Sequence, residues 1–364
     1  MPDIDQKAVA QAVEGFVDPR LGQTLAEAGA VESVRVTSEA VDISLRLPYV
    51  AAREHEQLRA QLAQALAAST GSAPLNIRIE QEVRATAIEK PLPGLAGVRN
   101  IIAIASGKGG VGKSTTTSNL ALALQAQGAR VGVLDADIYG PSQGMMLGVA
   151  PGTRPDSVDD KFFRPVEAHG IQVMSMSFLV DEDTPMVWRG PMVSGALQQL
   201  LNQTEWQDLD YLLIDMPPGT GDIQLTLSQR VPVTAAIIVT TPQDIALLDA
   251  RRGIEMFRKV DIPVLGVIEN MSTHICSHCG HEESIFGAGG GERLAHDYDC
   301  ELLGQLPLAM AIREQADSGR GCVLADPEGP HAQRYLEIAI RVSALLARRQ
   351  QNRRAMPNIA VFND

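Results

Sequence analysis

Apolar residues keep one kind of spacing over the first 85 positions and another from about residue 100 onward. In the first stretch, Val9 and Val13 stand four apart, as on one face of a helix. Val41, Ile43, Leu45 and Leu47 alternate strictly, as on a strand with one buried face, and Leu58, Leu62, Ala65 and Leu66 return to helical spacing. A second alternation follows at Leu75, Ile77 and Ile79. This pattern predicts a small α+β domain over residues 1–85. Glu89 to Gly97 then places two prolines and two glycines in nine residues, which breaks both periodicities and predicts a linker over 86–98. From Ile101 the apolar runs are short, continuous and rich in β-branched residues: Ile101 to Ala105, Val131 to Leu134, Tyr211 to Ile214, Ala235 to Thr240 and Val264 to Ile268. Strands buried on both faces and separated by helix-length stretches predict a doubly wound α/β domain with a mostly parallel sheet, over 99–349. A last helix carries Tyr335, Ile338, Val342 and Leu345, and a polar tail follows over 350–364.

Composition narrows the partners. The 364 residues carry 31 basic and 44 acidic side chains, a formal net charge of −13, which opposes nonspecific attraction to nucleic acid or anionic lipid. No apolar run approaches the roughly 18 residues of a membrane span, and Met1 to Val13 lacks the basic and apolar segments of a secretion signal. A soluble, cytoplasmic protein with no nucleic-acid or membrane partner is expected. Four cysteines, Cys276, Cys279, Cys300 and Cys322, are too few and too unevenly placed for a disulfide framework.

Gly107-Lys-Gly-Gly-Val-Gly-Lys-Ser114 fits the phosphate-loop pattern, and it follows the strand Ile101 to Ala105 and precedes the helical run Thr116 to Gln127. The backbone N–H groups of Gly107, Lys108, Gly109, Gly110, Val111 and Gly112 are expected to curl around ATP phosphates, with Thr115 following in the helix. Lys113 would meet the β- and γ-phosphates, and the Ser114 hydroxyl would hold Mg²⁺. Taken alone, Lys108 has a solvated surface lysine as its plainer reading. With its neighbours it resembles the deviant Walker A group that includes MinD, ParA and nitrogenase iron protein, which implies a lysine reaching the partner's phosphates across an ATP-dependent dimer.

Hydrolysis also needs carboxylates. Asp135, Asp137 and Asp215 all lie at or just beyond C-terminal strand ends, the edge at which doubly wound sheets bind ligands. Asp215 would act on Mg²⁺ and opens Asp-Met-Pro-Pro-Gly-Thr-Gly-Asp222, a loop suited to sensing the γ-phosphate. Asp222 reads either as part of that loop or as the N-cap of the next helix. The same resemblance implies that Asp137 orients the attacking water and that Asn270 reads adenine, although an asparagine at a strand end is otherwise a turn residue.

Cys276-Ser-His-Cys279 is a two-thiolate hook for zinc, Cu(I) or an iron-sulfur cluster. Four ligands are needed for zinc or [4Fe-4S] and the hook supplies two. The rest come either from a second subunit across a two-fold axis or from two of His274, His278 and His281; a redox dithiol is a third reading. Cys300 and Cys322 read as small buried side chains.

Taken in order, the phosphate loop, Asp-Ala-Asp-Ile-Tyr-Gly-Pro-Ser (135–142), Trp-Arg-Gly-Pro-Met (188–192), the 215–222 loop, Asn-Met-Ser (270–272), the cysteine pair and Phe-Gly-Ala-Gly-Gly-Gly (286–291) are similar to the Mrp/ApbC iron-sulfur cluster carrier ATPases, over about 99–345. The first 85 residues, with Asp18-Pro19, resemble the small iron-sulfur assembly domain fused ahead of many of them. The resemblance implies a homodimeric, Mg²⁺-dependent, slow ATPase. It would hold a labile cluster, [4Fe-4S] or [2Fe-2S], on Cys276 and Cys279 of both subunits and pass it between scaffold and apo-proteins. Ser277 and Gly321-Cys322 stand where members commonly carry proline. A MinD- or ParA-like positioning ATPase with zinc at the cysteines is the rival reading; it would need a basic tail or face, and the charge and the 350–364 tail offer neither. An electron donor like nitrogenase iron protein would draw its cysteines singly from separate loops.

Overall fold

A computed structural model describes residues 4–37, 39–71, 73–86, 92–159, 161–179, 190–276 and 278–355, without the side chains of 190–194, 222 and 353–355. The chain divides into two compact units, Met1–Arg84 with Ile340–Asp364, and Ala85–Ala339.

In the first unit the strands Val31–Val36, Val41–Leu47 and Leu75–Gln81 lie side by side in that order, the first pair antiparallel and the second parallel. The helix His55–Thr70 makes the crossover that parallel pairing requires. Val41, Ile43, Leu45 and Leu47 face inward with Leu58, Leu62 and Leu66 of that helix and with Val9 and Val13 of Gln6–Glu14. The core is completed by Ile340, Ala344 and Ala347 from the end of the helix Pro330–Ala355. Ser343 Oγ, on the same helix, accepts a hydrogen bond from Val50 N at 2.8 Å. The sequence had assigned these helical residues to the ATPase domain, and the helix also runs on into the stretch expected as a polar tail, as far as Ala355. Asp18 is fully buried and its carboxylate accepts from Arg20 N, Leu21 N and the Tyr49 hydroxyl.

The second unit is built on an eight-stranded sheet, in the order Val166–Ala168, Ile171–Ser175, Val131–Asp135, Leu209–Asp215, Val98–Ala105, Ala235–Thr240, Val264–Glu269 and Glu301–Gln305. Only the first pair is antiparallel. Central strands are buried along their length, as their continuous apolar runs predict. From Val98–Ala105 the chain winds first to one side of the sheet and later to the other, so the switch point lies at that strand's C-terminal end. The register sets Asp215 beside both Asp135 and Ile104, which brings the two strand-end carboxylates together. Part of the expected linker is structured: Pro93–Leu95 forms a 3-10 turn with Leu95 buried, and the first strand starts at Val98. Among the described residues no helix is long and apolar enough to cross a membrane.

Candidate functional site

The loop from Gly107 to Gly112 leaves the central strand and enters the helix Lys113–Ala126, with Gly112 in the cap position at φ +82°. Glycine is required at both ends of this loop. A Cβ on Gly107 would lie 2.2 Å from the Asp249 carbonyl carbon, and one on Gly112 would lie 2.1 Å from Asn270 Nδ2. The helix is buried along most of its length, and its hydroxyls are satisfied by its own backbone: Thr116 Oγ1 donates to Gly112 O and Thr117 Oγ1 to Lys113 O.

Lys113 Nζ reaches Asp215 Oδ1 at 2.6 Å in a nearly closed environment, with the two side chains 6% and 0% exposed, and lies 3.3 Å from Ser114 Oγ. Thr117 Oγ1 donates to the same Asp215 oxygen at 3.1 Å. The other oxygen, Oδ2, accepts from Gln143 Nε2 at 2.9 Å, and that amide also donates to Ser114 O at 3.0 Å. Asp135 Oδ2 accepts the backbone N–H groups of Ser142 and Gln143 at 2.8 and 2.9 Å, while Oδ1 accepts that of Asp137 at 3.2 Å. Full burial, and then the charge of Asp215, push the Asp135 carboxyl up to about 7. Burial also raises Asp137, with the nearby Lys113 charge acting against it.

Lys113, Ser114, Asp135, Asp137 and Asp215, all singled out in the sequence, therefore meet at one point. The structure adds Gln143 and Thr117. Thr117 was legible in principle, standing one helical turn after Lys113 on the same face. Gln143 was not, because its reach depends on how Asp135 holds the preceding loop. The Lys108 ammonium has no hydrogen bond or ion pair among the described residues, and the adjoining Gly109 and Gly110 are exposed. Gly219 N donates to Ser106 O at 3.0 Å, tying the 215–222 loop to the base of the phosphate loop. The helix Asp222–Arg230 has Gly221 in the cap position, so Asp222 stands one residue inside it and is not its N-cap. Asn270 donates Nδ2 to Val111 O at 2.9 Å and accepts at Oδ1 from Met271 N, so here it braces the phosphate loop.

Cys276 and Cys279 lie in a tight turn between the short strands His274–Ile275 and Glu282–Glu283. Cys276 N donates to His281 O, and Gly280 N to Cys276 O, both at 2.9 Å; Gly280 sits at φ +72°. The backbone N–H of Cys279, followed by that of His278, points at the Cys276 sulfur and holds its thiol below the ordinary value. Cys276 is half-buried and Cys279 exposed. Among the described residues no group of three or more His, Cys, Asp or Glu side chains is arranged to hold a metal ion. His274 instead lies 3.9 Å from Glu283. Cys322 is buried, with its thiol pushed up to about 11 by desolvation; Cys300 is only half-buried, where full burial was expected. Trp188, Arg189 and Ser277 lie outside the described residues.

Comparison with known proteins shows the family. The NUBPL iron-transfer P-loop NTPase family matches residues 97–343, and the iron-sulfur cluster assembly protein family matches 6–77. An iron-sulfur cluster carrier protein of Pseudomonas fragi is 70% identical over 68% of this chain and 87% of its own length. Another, from Haemophilus influenzae, is 50% identical over 94% and 92%. Among solved structures, a nucleotide-binding protein of Archaeoglobus fulgidus in complex with ADP is 36% identical, with a TM-score of 0.57, covering 65% of this chain and 91% of that one. With a phosphate loop, its carboxylates and a two-cysteine turn on such a scaffold, and with identity of this extent across both units, the chain belongs to the iron-sulfur cluster carrier family of P-loop ATPases.

Proposed function

We propose that two copies of this chain hold one iron-sulfur cluster between them, on Cys276 and Cys279 of each, and release it to apo-proteins under control of ATP. The observation that carries this reading is the cysteine turn. It presents two thiols toward solvent, one of them acidified by backbone N–H groups, and no third ligand joins them among the described residues. Half of a four-thiolate set on an exposed turn is what a two-fold-related copy would complete. A single-chain zinc site built from His274, His278 and His281 has no such support, since among the described residues no three His, Cys, Asp or Glu side chains gather to hold a metal ion.

In the nucleotide site, ATP phosphates would compete with Asp215 for the Lys113 ammonium, leaving Asp215 to accept from water on Mg²⁺ while Ser114 Oγ binds the ion directly. Asp137, with its carboxyl raised by burial, would orient the water that attacks the γ-phosphorus, releasing ADP and phosphate. Lys108 would reach the partner's phosphates, and Asn270 retains one amide proton and one carbonyl lone pair for the adenine edge. Closure of the dimer on ATP would then change the geometry around a cluster seated where the copies meet.

Anaerobic reconstitution of the wild type and of Cys276→Ala/Cys279→Ala tests the reading. Expected are iron and sulfide in about equal amounts with visible absorbance in the wild type, the loss of all three in the variant, and a dimer as the cluster-bearing species. Equal cluster content in the variant, or a fully loaded monomer, would overturn it.

A further inference from the structure

Gln143 is fully buried, yet it stands at the start of a four-residue helix, Gln143–Met146, in which it has no apolar role. Its Nε2 donates to Ser114 O and Asp215 Oδ2, both of them acceptors, so the orientation of the amide is fixed by its partners. That leaves Oε1 buried with no hydrogen-bond partner among the described residues. An unpaired buried carbonyl is costly, and here it lies within one amide's width of the Ser114 and Asp215 contacts, the two residues read above as the Mg²⁺ site. Its backbone N–H is held by Asp135, whose carboxylate also accepts from Asp137 N and Ser142 N.

We propose that Gln143 is a positioning residue for the metal. Its amide nitrogen fixes the Asp215 carboxylate relative to Ser114, and its unpartnered carbonyl accepts a hydrogen bond from a water of the Mg²⁺ shell. Because the same residue is anchored through Asp135 to the loop that carries Asp137, order in the metal site and order in the water-positioning loop rise and fall together. A leucine at this position would supply neither contact and would leave Ser114 O and Asp215 Oδ2 without this donor.

This inference rests on the reading of Ser114 and Asp215 as the Mg²⁺ site, and the test separates the two. Affinity for a fluorescent ATP analogue is measured against Mg²⁺ concentration and in EDTA, for the wild type, Gln143→Leu and Gln143→Asn, the last keeping an amide that is one methylene too short to bridge. Asp215→Asn serves as the control for the site. Expected in both Gln143 variants is a roughly tenfold higher half-saturating Mg²⁺ concentration, with affinity in EDTA within about twofold of wild type. An unchanged Mg²⁺ requirement in either folded variant would overturn the role of Gln143, and so would failure of both to fold, which would assign the residue to the fold alone. An unchanged requirement in Asp215→Asn would overturn the metal site itself.

Discussion

At the scale of single residues, the pair Asp135 and Asp215 sets the electrostatics of the nucleotide site. Two buried carboxylates lie at adjacent strand ends beside one lysine, and burial together with the Asp215 charge pushes the Asp135 carboxyl up from 3.8 to about 7. In the folded protein Asp135 therefore binds its proton more tightly than in the unfolded chain. The stability this contributes is complete below about pH 4, declines as pH rises toward about 7 and is flat beyond. Asp135→Asn, neutral throughout, is expected to flatten that decline, so the variant gains on the wild type between pH 5 and pH 8. Urea unfolding followed by tryptophan fluorescence reads this directly, since Trp206 is buried within the unit 85–339. Parallel pH profiles for the two proteins would contradict it. Lys113 and Asp215 were legible in the sequence because strand, glycine loop and carboxylate follow one another in fixed chemistry. Gln143 was invisible for the opposite reason: nothing in its own spacing says that a carboxylate eight residues earlier turns it inward.

At the scale of elements, the buried strands announced themselves by continuous apolar runs, and the edges did not. Glu301–Gln305 has one buried residue of five and Val31–Val36 has none, so neither carries enough periodicity to be read. Val166–Ala168 pairs antiparallel at the rim of a sheet whose texture announces parallel strands. The cysteine turn is the element on which the proposed function rests most directly. Gly280 closes it at φ +72°, a conformation that costs a residue with a Cβ about 1–2 kcal/mol. Gly280→Ala is expected to loosen the turn, withdrawing the N–H groups from Cys276, and to speed iron loss to a chelator several-fold while ATP hydrolysis continues. Measured release kinetics equal to wild type would show that the turn's shape does not govern how firmly the metal is held.

At the scale of the whole molecule, the division into units departs from the order of the sequence. Ile340, Ala344 and Ala347 of the helix Pro330–Ala355 belong to the first unit's core, and no local pattern could have revealed this, because the partners are nearly 300 positions away, as in the 293-residue separation of Val50 and Ser343. Ser343→Ala removes the acceptor of a buried N–H and should cost about 1–3 kcal/mol. Amide exchange in residues 41–66 is expected to rise at least several-fold while exchange in the central sheet stays unchanged; equal protection in both proteins would refute the link. For a nascent chain the arrangement has a further consequence. In a chain still being made, the core of residues 9–79 lacks the cover that Ile340, Ala344 and Ala347 supply until that helix is released, and that part of its apolar surface stays open until then. A stop codon ahead of Ile340 would therefore also leave a gap in a core whose other residues lie far earlier in the chain.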